Sequence, residues 1–230
     1  EAHAHGMLVL AHLNDTAAEV AADVGLDEIE HFSRCDVAWR EAGEDEDDRL
    51  IDLFLENGVI MNPTLSVWDR IGRAMEHGFL RDEKRRWVHP QLLDIWERFP
   101  YRRCGSDDRM RFQKAMPHLK RFLLRSHDRG VTTLAGTDTP FINLIPGFAL
   151  HDELAQYVDA GLRPLDALRA TTGTNARILG LEDEIGRIAP GMVADFVVVE
   201  GNPLVRIDDL ANVRVTFRSG RAFEPHMLLE

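Results

Sequence analysis

Apolar positions along this chain follow two different periods. Four compact runs, "MLVLAHL" (7–13), "DEIEHF" (27–32), "GVIMNPTL" (58–65) and "GVTTLAGTD" (130–138), predict short buried strands. Helical spacing lies between them. "DTAAEVAADVGL" sets Ala and Val at that spacing, with Asp15 or Thr16 as the cap and Gly25 as the stop. "DRLIDLFLENG" puts Leu50, Ile51, Phe54 and Leu55 on one stripe closed by Gly58. Strand and helix in alternation predict a parallel sheet covered by helices.

Two stretches break this rhythm. Residues 66–129 are helical in pattern nearly throughout and predict a helical insert or lid, with Trp68, Trp87 and Trp96 as packing anchors. After Asp138, "ALHDELAQYVDAGLRPLDALRATTGTNARILGL" reads as two amphipathic helices, divided by Gly161, with Pro164 near the start of the second. From Gly186 the period becomes two: "GRIAPGMVADFVVVEGNPL" and "VRVTFRSGRAF" predict a small all-β appendage with turns at "APG", "EGNP" and "RSG".

Composition narrows the partners. With 44% apolar and 29% charged residues over 230 positions, the chain has enough apolar material for a core. A formal net charge of −12 repels phosphate backbones and anionic membrane surfaces, so neither nucleic acid nor membrane is expected as a partner. No apolar run approaches the roughly 20 residues that span a bilayer. Cys35 and Cys104 form no Cys-x-x-Cys pair and read as reduced structural thiols. The acidic "EDEDD" (44–48) reads as a solvated loop or helix start. The chain opens on Glu1 in what reads as the middle of a helix, so a signal peptide and the location stay open, with the cytoplasm favoured.

Three of the four strands carry a metal-competent side chain at or near the C-terminal end: His12, His31 and Asp138. In parallel β/α architectures that end gathers the functional loops, and three such side chains would converge on one volume. Two imidazoles and a carboxylate suit zinc or another divalent first-row metal better than calcium or magnesium. Hydrolysis needs the same set, because a metal acidifies bound water and a carboxylate can take its proton. Taken alone, "TDTP" is also good turn chemistry for Asp138. The His3 and His5 pair in "HAH" reads instead as the last turn of a helix stopped by Gly6, where positions two apart diverge and cannot share an ion. His77, His89, His118, His127, His151 and His226 read as surface or packing residues.

The run "AHAHGMLVLAHLND", with "IEHF", "AGTDTP" and "GRIAPGMVADFVVVEGNPL" in that order, resembles the amidohydrolase superfamily, most of all its imidazolonepropionase-like and prolidase-like branch. The resemblance implies a (β/α) TIM-type barrel, of which this chain supplies strands five to eight with the long helical insert (about 66–129). It implies that 1–185 is the C-terminal half of that barrel and 186–230 part of a small β-sandwich. By the same resemblance His12, His31 and Asp138 bind metal, Asp138 is the general base for attack of metal-bound hydroxide, and His31 helps stabilise the oxyanion. Gly186, Pro190, Gly191, Ala194 and Asp195 match the family's structural phrase after the barrel. The implied cofactor is a divalent metal, zinc first, with one or two ions in the complete protein. The implied substrates are small molecules with C–N bonds: amides, cyclic amides or dipeptide-like compounds. The family's strand-one His-x-His and its bridging strand-four residue have no counterpart here. The missing N-terminal half is therefore an expected partner, a homo-oligomer is left open, and the chain alone is expected to be inactive. The alternatives are an incomplete or degenerate non-catalytic module and a mononuclear deaminase-type member.

Overall fold

A computed structural model describes residues 1–13, 16–32, 44–73, 83–98, 106–141 and 143–225. Asp15, Cys35, His77, Cys104 and His226 lie outside them. The described chain forms two compact units, Glu1–Gly161 and Leu162–Glu230.

In the first unit the predicted strands appear in shortened form, and the first is not buried as its apolar run predicts: Met7, Leu8 and Leu10 are exposed. β1 (Leu10–Ala11), β2 (Glu28–Glu30) and β3 (Ile60–Asn62) make a parallel sheet in the order β1-β2-β3. The register pairs Leu10 with Glu28 and Ile29 with Met61. The fourth predicted strand joins β3 by one parallel bridge, Met61 to Thr133, flanked by Met61 N–H to Thr132 O and Leu134 N–H to Met61 O. Among the described residues, β1 pairs only with β2, and the 130–138 segment bridges only β3.

The helices follow the alternation. α1 (Ala18–Asp23) starts later than a Thr16 cap would set it: Ala17 is the N-cap, with no side-chain cap bond. Gly25 takes φ +89 where the chain turns back to β2. α2 (Glu44–Asn57) buries Leu50, Ile51 and Phe54 as its stripe predicts, whereas Leu55 is exposed. Among the described residues between β3 and the fourth segment stand α3 (Leu65–Arg73), a 3-10 turn (Glu83–Trp87), α4 (Pro90–Arg98) and α5 (Ser106–Asp128), in keeping with the helical pattern there. Trp68 and Trp96 are buried. Trp87 is not an anchor: it is 48% exposed, with the Arg86 guanidinium 4.9 Å from its ring centre.

α5 closes the core against the sheet. Its Phe122 meets Phe32 and Phe54 edge-on, with ring centres 5.4 and 6.5 Å apart. The acidic run opens α2, but Asp47 is buried rather than solvated, facing His118 at 3.3 Å and Arg125 at 3.5 Å on α5. α6 (Ala149–Asp159) completes the unit, burying Glu153, Leu154 and Tyr157.

The second unit contains α7 (Pro164–Arg169), a π-helical turn (Ala170–Thr174), α8 (Asn175–Ile178) and an antiparallel sheet of β4 (Phe196–Val199), β5 (Val213–Arg218) and β6 (Arg221–Phe223). Phe196 and Phe217 face each other across β4 and β5 and stack at 4.4 Å. Gly186 has φ +94, and a Cβ there would lie 2.6 Å from the Ala176 Cβ, so this position needs glycine. Asp195 accepts the Ser219 N–H at 2.5 Å, a structural role.

Candidate active site

The candidate residues stand at the ends of the parallel strands. His12 follows β1 directly and His31 follows β2, and their ring centres lie 5.0 Å apart with the planes tilted by 59°. The structure thus brings two of the three sequence-chosen residues together. Asp138, at the end of the fourth segment, is close enough for its charge to act on His31. Burial lowers the His31 pKa, opposed by the pull of Asp138 and reinforced by His12. The shift favours the neutral imidazole, the form that ligates a cation.

Left-handed backbone marks this face. His31 (φ +65), Phe32 (+51), Thr64 (+45) and Asp138 (+55) are all non-glycine residues in that region. For the β-branched Thr64 it is a genuine outlier, and such residues persist where the surroundings over-determine them. At His31 the surroundings are visible. Its N–H donates to Asn62 O at 2.9 Å, its Nδ1 shares a hydrogen bond of 2.6 Å with Thr64 Oγ1, and its carbonyl accepts the Trp68 Nε1–H at 2.7 Å.

A carboxyl pair stands on the strand that His31 follows. Glu28 and Glu30 project to the same side of β2, where each acts on the other's ionisation and the Asn62 side chain eases the charge of both. Burial, then the Glu28 charge, pushes Glu30 up to about 7. Burial likewise raises Glu28. Asn62 Oδ1 also accepts the Gly136 N–H at 2.9 Å.

The opposite end of the sheet disposes of the His-x-His pair. Ala2–His5 is a 3-10 turn closed by Gly6 at φ +68, as a helix-end reading requires. His3 Nε2 pairs with Asp27 Oδ2 at 2.7 Å, and Asp27 sits just before β2, at its N-terminal end.

Two imidazoles beside a carboxylate match a borderline divalent cation in kind, and the Thr64 bond at Nδ1 is the type of outer contact that orients a ligating histidine. The set is not closed, however. Among the described residues no group of three or more His, Cys, Asp or Glu is disposed to hold an ion. Sequence reasoning gave Trp68 only as a packing anchor and did not single out Thr64 or Asn62, the other residues that hold His31. The only local signal was the pair of carboxyls two apart in "EIEH", a polar face on an otherwise buried strand.

A sequence profile described as "Amidohydrolase family" matches residues 1–223. The chain belongs to the amidohydrolase family. It is 42% identical over 66 residues to an adenine deaminase of Lactobacillus delbrueckii subsp. bulgaricus, covering 29% of this chain and 10% of that protein. It is 47% identical over 38 residues to an imidazolonepropionase of Hahella chejuensis, covering 16% of this chain and 9% of that protein. A solved Xaa-Pro dipeptidase with bound methionine in its active site superposes with a TM-score of 0.66 at 23% identity, over 97% of this chain and 46% of that one. The chain thus spans about half the length of that dipeptidase, and its matched stretches cover about a tenth of each sequence relative.

Proposed function

We propose that the protein containing this chain is a divalent-metal-dependent hydrolase of C–N bonds in small amides, cyclic amides or dipeptide-like compounds. The observation that carries this reading is the His12–His31 pair at adjacent parallel strand ends, with the Asp138 charge acting on His31, in a chain of the amidohydrolase family. In it, 1–185 is the C-terminal half of a β/α barrel, 186–230 is part of a β-sandwich, and the other half of the barrel supplies the remaining donors.

His12, His31 and Asp138 would hold the metal, zinc first. Bound there, it would supply Lewis acidity and a more acidic water. The residues of this chain do the rest. Asp138 takes a proton from water and returns it to the leaving nitrogen. His31, neutral and held at both ring and carbonyl, keeps a fixed place beside it. The Xaa-Pro dipeptidase likeness supports dipeptide-like substrates.

The test is Asp138→Asn in the full-length protein, with metal content and amide hydrolysis measured together. Loss of turnover by about two to four orders of magnitude is expected for a lost general base; retained hydrolysis sinks the assignment. A deaminase reading draws support from the adenine deaminase match alone. It predicts ammonia release from an exocyclic amine and no cleavage of dipeptides.

A further inference from the structure

We infer that Glu153 is a positioning residue for His31, acting through the first turn of α3; the inference rests on the functional reading of His31 given above. Glu153 lies on α6, is fully buried, and accepts the N–H groups of Leu65 and Ser66 at 2.7 Å each, one per carboxylate oxygen. These are orphan donors at the start of α3. A helix ordinarily finds its cap locally, from a Ser, Thr, Asp or Asn just before its first residue.

Thr64 stands at that place, yet its hydroxyl is not the cap. Its backbone turns to φ +45 and its Oγ1 goes to His31 Nδ1 at 2.6 Å. One turn further on, Trp68 donates Nε1–H to the His31 carbonyl at 2.7 Å. A carboxylate 88 residues away along the chain does the capping, and the local hydroxyl is released to hold the imidazole. With Nδ1 engaged by Thr64, Nε2 is the ring nitrogen left for a ligand or proton.

The experiment compares Glu153→Gln, Glu153→Asp, Thr64→Val, Thr64→Ser and His31→Asn in the full-length protein. The readouts are the 15N resonances of the His31 ring in metal-free protein, the affinity for Zn2+ alone, and kcat and KM. Gln presents one acceptor and turns an amide donor toward an N–H. Glu153→Gln and Thr64→Val are expected to displace the His31 resonances and to weaken Zn2+ binding on the order of 10- to 100-fold, the usual effect of losing an orienting partner. Glu153→Asp is expected to displace them less, and Thr64→Ser to restore what Thr64→Val loses.

His31 resonances that stay in place in Glu153→Gln, or in Glu153→Asp should the Gln variant not fold, overturn the positioning role whatever the activity does. Displaced resonances, together with a His31→Asn protein that still binds Zn2+ and hydrolyses amides, keep the positioning role and sink the functional reading.

Discussion

Asn62 Oδ1 accepts the Gly136 N–H at 2.9 Å, which ties the end of β3 to the segment that delivers Asp138. A Cβ at 136 would stand 2.6 Å from Asn62 Nδ2 and 2.8 Å from Oδ1. Gly136→Ala is expected to evict the amide and cost about 1–3 kcal/mol. Asn62→Ala removes the same bond, so the double variant is expected to be little less stable than Asn62→Ala alone. Strict additivity in urea titrations of the four proteins refutes the shared contact.

Glu153 makes stability depend on pH. Burial, opposed by the two amide donors, brings it up to about 7 from the ordinary 4.5. The folded state therefore binds this proton more tightly than the unfolded chain. Its contribution is complete below pH 4.5 and is lost as pH rises through about 7. Set against Glu153→Gln, which does not titrate, the wild type should lose about 1.4 kcal/mol per pH unit inside that window. Denaturant curves of both proteins across it give the answer; a constant difference contradicts the raised value.

Trp68→Phe keeps an aromatic ring in the core and removes the donor to the His31 carbonyl. We expect a loss of about 0.5–1.5 kcal/mol in stability. The fall in kcat should exceed what that loss explains, since the left-handed His31 backbone has one fewer restraint. Equal kcat at matched folded fraction argues against the clamp.

Phe122 joins α5 to Phe32 and Phe54 beneath the strand ends. Phe122→Ala is expected to cost about 3–5 kcal/mol, read as a lower denaturation midpoint. A change under about 1 kcal/mol would mean the three rings do not share a core.

The strand ends were legible because a buried run that stops at His or Asp is conspicuous: "LVLAHL", "EIEHF" and "LAGTD" announce His12, His31 and Asp138 from pattern alone. What holds them was not. Glu153 looks like one more charge on an amphipathic helix, and only the fold carries it to the start of α3. Thr64 looks like a cap, and nothing in "NPTL" says its hydroxyl goes elsewhere. Asp47 is hidden within an acidic run whose neighbour Glu46 is exposed. Local composition predicted the period of each segment; the residues that steer the imidazole are set by contacts far apart in sequence.

The turn at Thr64 weighs backbone ease against a buried hydrogen bond. Glycine at position 64 accepts φ +45 without the penalty a β-branched residue pays there, but it gives up a buried side chain and the hydroxyl bonded to His31. A directed-evolution campaign screened only for heat resistance should therefore retain a hydroxyl at this position, and with it the contact to the imidazole.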